Sequence, residues 1–475
     1  MFNDADPPTK TRLVLDTLTR RSPDGTALIG GSPFRVLKLS KSGSVMLDSW
    51  LTDAADMPTA SAPRALWQRI VDAGMAHPVP VPADRIHDIA AIVPVLDDLD
   101  GLLALLAPLR EALGPELPIV IVDDGSTNPN DFVDVADRFG AEVVRHEHNR
   151  GPAAARNTGW STVRKRWPTT KAVLFIDADV VIDRDALALL LAHLDTDPAL
   201  GVVAPRVAAR RESGALHAYE AENSPLDMGQ HPARVAARTR VSYVPSATML
   251  VRTAVLEITG GFDADMRVGE DVDFVWRTTA SDWTVRYEPR AVVRHRSRRD
   301  VPALMRQRFA YGTSAAPLEQ RHQDHIFPVE LSMVHLSIWA LAAFGRRWGK
   351  LGAGLAVASS VVDLGRKLQP RVDDAPRIAA SVVADSHRSA LFWLANAATR
   401  AWWPLLLFNR ASRRGLVTAL VAPALVDWWS GRRALDPARF IGFRAVDHVA
   451  YGAGLWRGAT TSRSVRTLLP RIRRH

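Results

Sequence analysis

The chain has 475 residues, 47% of them hydrophobic, a composition that excludes global disorder and leaves room for roughly two to four domains. It contains no cysteine, so disulfides, thiolate metal sites and a cysteine nucleophile are excluded, in keeping with a cytoplasmic protein. The net charge of +9 is uneven: from Leu331 onward there are 22 Lys and Arg against 7 Asp and Glu, so the rest of the chain is net acidic.

The start, "MFNDADPPTK", has neither a basic flank nor an apolar core, so no signal peptide is expected. In "TALIGGSPFRVLKLSKSGSVMLDSWL" a short apolar strand, a Gly-Gly turn and a second strand lead into an amphipathic helix with a Ser-rich cap. The Pro-rich "HPVPVPADR" reads as a linker closing a small module over residues 1–85. From Ile86 strand and helix alternate: "IAAIVPVL", "LDGLLALLAPLREAL", "PIVIVDDGS", "PNDFVDVADRFG", "AEVVRH". Near-continuous apolar strands between helices predict an α/β domain, residues 86–328, with a mostly parallel sheet covered on both faces. Ligands bind such sheets at the strand ends.

The strand ends are where the chemistry-bearing residues fall. "IVIVDDGSTN" finishes in Asp123 and Asp124 before a Gly-Ser turn, a place where a carboxylate can accept from a ribose or a base edge, or simply cap the next helix. In "HNRGPAAARNTGW" the small residues at Gly151 and 153–155 allow close approach to a bound group, with Arg156 and Asn157 supplying a cation and an amide for a nucleotide. His146 and His148 lack a third partner and read as surface histidines. "LFIDADVVID" ends a core strand in Asp177 and Asp179, two apart and hence on one face of an extended chain, where they repel unless something positive lies between them. A divalent cation, Mg or Mn, completed by the phosphates of a nucleotide diphosphate, meets that need. In "RVGEDVDFVWR", Glu270 and Asp271 open a helix after Gly269; a carboxylate there suits a general base, and helix capping is the alternative. This pair is also where a shifted acidity is expected.

The last region, residues 329–475, alternates apolar segments such as "ALFWLANAATRAWWPLLLF" with arginine-rich breaks such as "NRASRRG". Arginine-flanked apolar segments predict attachment to an anionic membrane face. Most fall short of the roughly 20 apolar residues a spanning helix needs. Arginines interleaved with tryptophan-rich runs, not gathered in a stripe, argue against nucleic acid.

The order "IAAIVPV", "VIVDDGS", "NRGPAAARN", "FIDADV", "GGFD" and "GED" resembles the family 2 inverting glycosyltransferases of the GT-A fold, over residues 86 to about 315. The resemblance implies a nucleotide-sugar donor, Asp124 at the nucleoside, Asp179 as the direct metal ligand beside Asp177, and Asp271 as base. "PVLDDLD" departs from the family pattern after the first strand, which puts a donor contact there in doubt. A narrower resemblance, carried by "GGSPFRVLKLS", "SYVPSATMLV", "RVGEDVDFVWR", "YEPRAVVRH" and "FAYGTSAAPL", is to the glycosyltransferases of the mycofactocin system. It implies glucose, from UDP-glucose, added to a peptide-derived redox cofactor as a short oligosaccharide at the inner face of the cell membrane. It further implies acceptor contacts around Tyr243, Pro245 and Ser246 and from "RQRFAYG". Arg306 and Arg308 would approach the diphosphate or else begin the membrane-facing region. The N-terminal module resembles small peptide-binding domains that present a strand edge, with a docking or dimerisation module as the alternative. The rival readings are a transferase acting on a polyprenyl phosphate or cell-envelope glycan, and a non-catalytic scaffold presenting a peptide.

Overall fold

The computed structural model describes residues 10–82, 85–210, 212–296, 300–369, 372, 374–431 and 434–473. Residues 1–9, on which the expectation about a signal peptide mostly rests, lie outside them. The chain divides into two compact units, one comprising Met1–Arg21, Leu28–Glu212 and Glu220–Ser297, the other Ser22–Ala27, Ser213–Tyr219 and Arg298–His475.

In the first unit, the N-terminal segment builds its own apolar cluster. Helix Lys41–Thr52 starts where the Ser40 side chain accepts from the Gly43 amide, and it buries Leu47 and Trp50. Helix Ser61–Asp72 brings Trp67 edge-on to Trp50, with ring centroids 5.3 Å apart. The Pro-rich stretch is not a linker. Ala76–Pro80 is a strand paired antiparallel with Thr11–Leu15. Its prolines are tolerated because, among the described residues, Ala76–Pro80 pairs with a strand on one side only, so a missing N–H on its other edge breaks no ladder. His77 from this strand is buried against Asp16, Nε2 to Oδ2 2.9 Å, and Asp16 also receives Arg240 at 2.7 Å.

Among the described residues the central sheet has nine strands, one of them the short Ala233–Val235, antiparallel to Thr284–His295. Its parallel block runs Ala172–Ile176, Ile89–Val95, Ile119–Asp123, Glu142–Arg145. Thr248–Arg252 then pairs antiparallel with Ala172–Ile176 and with Leu200–Ala209, which runs parallel to the long strand Thr284–His295. The short strand Val180–Val181 closes that edge, Val180 opposite His295. As the apolar runs require, the three inner strands of the block are buried on both faces, whereas Glu142–Arg145 at its edge is half-buried. Val93, Ile121 and Leu174 pack in one cluster with Leu105 and Leu109 of helix Leu99–Leu113 and Leu187 and Leu190 of helix Arg184–Thr196. On the opposite face helix Pro152–Arg166 lies so close that a Cβ on Gly159 would come 2.4 Å from Ile92. This packing holds the strand ends in a fixed array.

The second unit is helical: Val301–Thr313, Met333–Phe344, Arg346–Leu368, Ala375–Arg400, Arg410–Gly431 and Pro437–Thr461 are its main elements. Helices Val301–Thr313 and Pro437–Thr461 cross at glycines, where a Cβ on Gly312 would meet the Tyr451 carbonyl at 2.1 Å and one on Gly454 the Phe309 carbonyl at 2.0 Å. Among the described residues no helix is long and apolar enough to cross a membrane.

Candidate active site

Strand Ile119–Asp123 delivers the first acid pair. Asp123 is turned into the protein: its Oδ1 accepts the Ser126 amide at 2.8 Å and its Oδ2 pairs with Arg145. Asp124 gathers the following loop, accepting from the amides of Arg150 at 2.9 Å and Gly151 at 2.8 Å and meeting His146 Nδ1 at 2.7 Å. Gly125, at φ +88°, is required here, since a Cβ would lie 2.8 Å from the Asn149 amide nitrogen. His146 is not a surface residue: it is buried, with its other ring nitrogen 2.9 Å from Thr158 Oγ1. Asp124 draws it inward, whereas His148 stays exposed.

Helix Pro152–Arg166 begins at Gly151 and points Arg156 between two acids. The guanidinium, 2% exposed, gives Nη2 to Asp177 Oδ1 at 2.6 Å and Nη1 to Glu270 Oε1 at 3.0 Å, with its carbon 5.5 Å from the centre of the Phe262 ring. The positive charge beside the Asp-x-Asp strand end is therefore a residue of the chain itself. Asn157, next along, is turned to the backbone: Nδ2 donates to the Phe262 carbonyl at 2.7 Å and Oδ1 accepts the Phe262 amide at 2.9 Å. It clamps the Gly260–Gly261–Phe262 turn, where a Cβ on Gly261 would strike Asn157 Oδ1 at 2.5 Å.

The chain is not extended at the acid pair: it turns, the Val180 amide donating to the Asp177 carbonyl at 3.1 Å, and Asp179 Oδ2 lies 3.0 Å from His295 Nε2. His295 was not singled out from the sequence. It is 116 positions from Asp179 and meets it only because strand Val180–Val181 pairs with the end of Thr284–His295. In the unusual "PVLDDLD" Asp98 caps helix Leu99–Leu113 through the Gly101 amide at 3.1 Å and pairs with Arg296 at 2.5 Å, and Asp97 Oδ1 accepts the Thr127 amide at 2.7 Å.

Glu270 and Asp271 open helix Glu270–Ala280 after Gly269, which takes φ +84°. Burial, then the neighbouring Asp271 charge, pushes the Glu270 carboxyl up to about 7, against the pull of Arg156. Burial also raises Asp271, although the amides of Val272 (2.8 Å) and Ser246 (3.3 Å) donate to it. Glu270 is buried on Arg156, whereas Asp271 is partly open. Of the acceptor-side residues, Ser246 and Pro245 are buried beside Asp271 in sequence-distant contact through the Ser246 amide, and Tyr243 Oη donates to the Pro225 carbonyl at 3.5 Å.

Residues 90–258 match the pattern of Glycosyl transferase family 2. The chain is 37% identical to the pre-mycofactocin glycosyltransferase of Mycobacterium tuberculosis over 97% of both chains. The chain belongs to the family 2 glycosyltransferases. It is also 28% identical to a poly-beta-1,6-N-acetyl-D-glucosamine synthase of Staphylococcus epidermidis, over 42% of this chain and 45% of that one. A solved mannosyltransferase from Pyrobaculum calidifontis superposes with TM-score 0.42 at 18% identity, covering 79% of this chain and 90% of that one.

In this glycosyltransferase of GT-A fold Arg156 thus joins two of the three acid motifs, through Asp177 and Glu270, and His146 ties Asp124 of the third to Thr158 on the same helix as Arg156. Arg308 is committed inside the helical unit: it is 2% exposed and its Nε donates to Asp447 Oδ2 at 2.9 Å. Its charge is compensated there by Asp447. Arg306, exposed on the same helix, turns its Nε to the Pro302 carbonyl at 3.4 Å.

The Arg156 bridge has a measurable consequence. Arg156→Met leaves the buried Glu270 without its cation and should lower folding stability by about 3 kcal/mol or more, the scale for breaking a buried pair. A carboxyl raised in the folded state contributes stability that is lost as pH rises from its unfolded value through about 7. The loss in the variant should therefore be larger at pH 8 than at pH 5.5, where Glu270 can protonate. Urea unfolding at the two pH values checks this; equal, small losses would mean the bridge is not stabilising.

Proposed function

We propose that this glycosyltransferase inverts a nucleotide-activated sugar, glucose from UDP-glucose, onto a hydroxyl of mycofactocin or its precursor, building a short oligosaccharide at the inner face of the cell membrane. The observation that carries the chemistry is the Arg156 bridge, which holds the Asp-x-Asp strand end and the Glu270–Asp271 helix start on one site. The acceptor is favoured by similarity along nearly the whole length of the pre-mycofactocin glycosyltransferase.

In this reading Asp124 contacts the nucleoside, its oxygens oriented by the loop amides it already holds. Asp123, Arg156 and Asn157 shape the donor cleft from behind, Asp123 through Arg145 and Asn157 through the Phe262 turn. Asp179 and His295 offer a carboxylate oxygen and an imidazole nitrogen 3.0 Å apart, a donor pair that suits Mn or Mg at an incomplete site. Among the described residues no group of three or more such side chains is disposed for a metal ion, so the remaining donors would be nucleotide phosphates and water. When bound, the cation neutralises charge on the departing diphosphate.

Asp271 takes the acceptor proton. The acceptor oxygen bonds to the anomeric carbon from the face opposite the diphosphate, whose bond breaks, and the proton passes to the carboxylate. Burial helps by raising Asp271 toward the operating pH. Glu270, held by Arg156, maintains the helix start. Tyr243, Pro245 and Ser246 border the acceptor. The N-terminal module selects the peptide-derived partner, for which Arg35–Lys38 at the edge of its three-stranded sheet supplies a free strand.

The test is mass spectrometry of small molecules from cells with and without the protein, coupled to transfer of radiolabelled glucose from UDP-glucose in vitro. A hexose-spaced series that disappears with the protein, and label on the mycofactocin precursor, is expected. An unchanged series, or label only on polyprenyl phosphate or envelope glycan, would overturn the acceptor.

A further inference from the structure

The helical unit exposes large aromatic side chains that a water-facing bundle has no use for: Phe344 is 86% exposed, Trp348 83%, Phe408 82% and, near the far end of helix Arg410–Gly431, Trp429 81%. The first two flank a turn that leaves them nowhere else to go. Helix Met333–Phe344 folds back into Arg346–Leu368 so tightly that a Cβ on Gly349 would come 2.6 Å from the Leu341 carbonyl, and one on Gly345 2.4 Å from Gly349. The side chains beside those glycines point outward.

Two contacts show where this turn lies within the unit. His335 stands beside helix Ala375–Arg400, Nε2 3.0 Å from Ser386 Oγ and its ring centre 4.5 Å from that of His387. The run from His335 to Phe344 has the same length as that from His387 to Asn396, so the turn reaches the level of the last helical turn before Arg400. Gly365, from the returning helix, lies against Ala379 at the other end. Phe408 follows a few residues after that helix ends. The turn and the segment after Arg400 therefore leave the bundle at one end.

Charge has the same polarity. Residues 331–362 and 386–426 hold eight Lys and Arg and no carboxylate. Arg346, Arg347 and Lys350 on the turn, and Arg410, Arg413 and Arg414 after Phe408, are exposed. Residues 363–377, around the opposite turn, hold four Lys and Arg against three Asp, so the charges there nearly cancel.

We propose that this end of the helical unit docks on an anionic lipid bilayer, with Phe344, Trp348 and Phe408 in the headgroup layer and the six surrounding cations on lipid phosphates. Aromatic rings are suited to that depth and basic residues to that surface, and helices that do not span a membrane can engage it in this way. The inference rests on the reading of the unit as membrane-associated and specifies which surface makes the contact.

Because the chain has no cysteine, single Trp348→Cys, Phe408→Cys and Gln369→Cys variants can each carry one environment-sensitive NBD label. Gln369 ends the 23-residue helix that begins at the turn, about 34 Å away. With phosphatidylglycerol vesicles the labels at 348 and 408 should brighten and shift to the blue, weakly with phosphatidylcholine, while that at 369 stays silent. Arg346→Gln with Arg347→Gln should weaken co-sedimentation roughly 30-fold, at about 1 kcal/mol per basic residue near the surface. Co-sedimentation with silent labels at 348 and 408, or with a responding label at 369, would overturn this surface and leave membrane association standing. No co-sedimentation would overturn both. A blue shift without vesicles that grows with protein concentration would assign the surface to a second copy of the chain.

Discussion

Asp271→Asn is expected to lower turnover by about 100-fold or more while nucleotide-sugar binding is retained, the scale for losing a positioned general base. Asparagine has the shape of aspartate, so its carbonyl can still accept the Val272 and Ser246 amides that hold Asp271. What it lacks is an oxygen basic enough to take the acceptor proton. The pH profile supplies a second reading. A base must be ionised to act, so activity falls as pH drops through its folded pKa, which burial raises above the ordinary aspartate range. The variant should lose that acidic limb. Steady-state kinetics across pH, with donor affinity measured separately, checks both; normal turnover in the variant would transfer the role to Glu270.

Asp179→Ala should reduce transfer below detection and remove the dependence of donor binding on divalent cation. The residue lies beyond the end of strand Ala172–Ile176, so its loss leaves the sheet intact and removes one of the two donors that face each other at 3.0 Å. Calorimetry of donor binding with Mn and after EDTA separates this from a folding defect, because binding is read without turnover. Donor binding that still responds to the cation would move the metal away from Asp179.

Several features were determined by local sequence alone. The alternation of apolar strands with helices from Ile86 specifies the parallel block, because a strand buried on both faces has to be apolar along its length, and Ile89–Val95, Ala172–Ile176 and Ile119–Asp123 up to its final acid are. The acids at Asp123, Asp124, Asp177 and Asp179 were legible for the same reason, as charges interrupting runs that otherwise tolerate none. Gly269 before Glu270 marked the start of a helix, and the helix is there. Short-range signals of this kind depend only on neighbours along the chain.

Other features depended on which elements became neighbours in space. The repulsion between acids two apart just past a strand was evident, but that Arg156 relieves it at Asp177 required helix Pro152–Arg166 to lie against the sheet at a separation Gly159 permits. His295 reaches Asp179 through strand pairing across more than a hundred residues. His146 looked like a surface residue until Asp124 and Thr158 closed around it, and the proline-rich stretch looked like a linker until Thr11–Leu15 paired with it. Between Glu270 and Asp271 the sequence draws no distinction, since both follow the same glycine. Tertiary structure separates them by burying one on Arg156 and leaving the other partly open, for the side chains of adjacent helical residues point in different directions and only packing decides which direction is solvent.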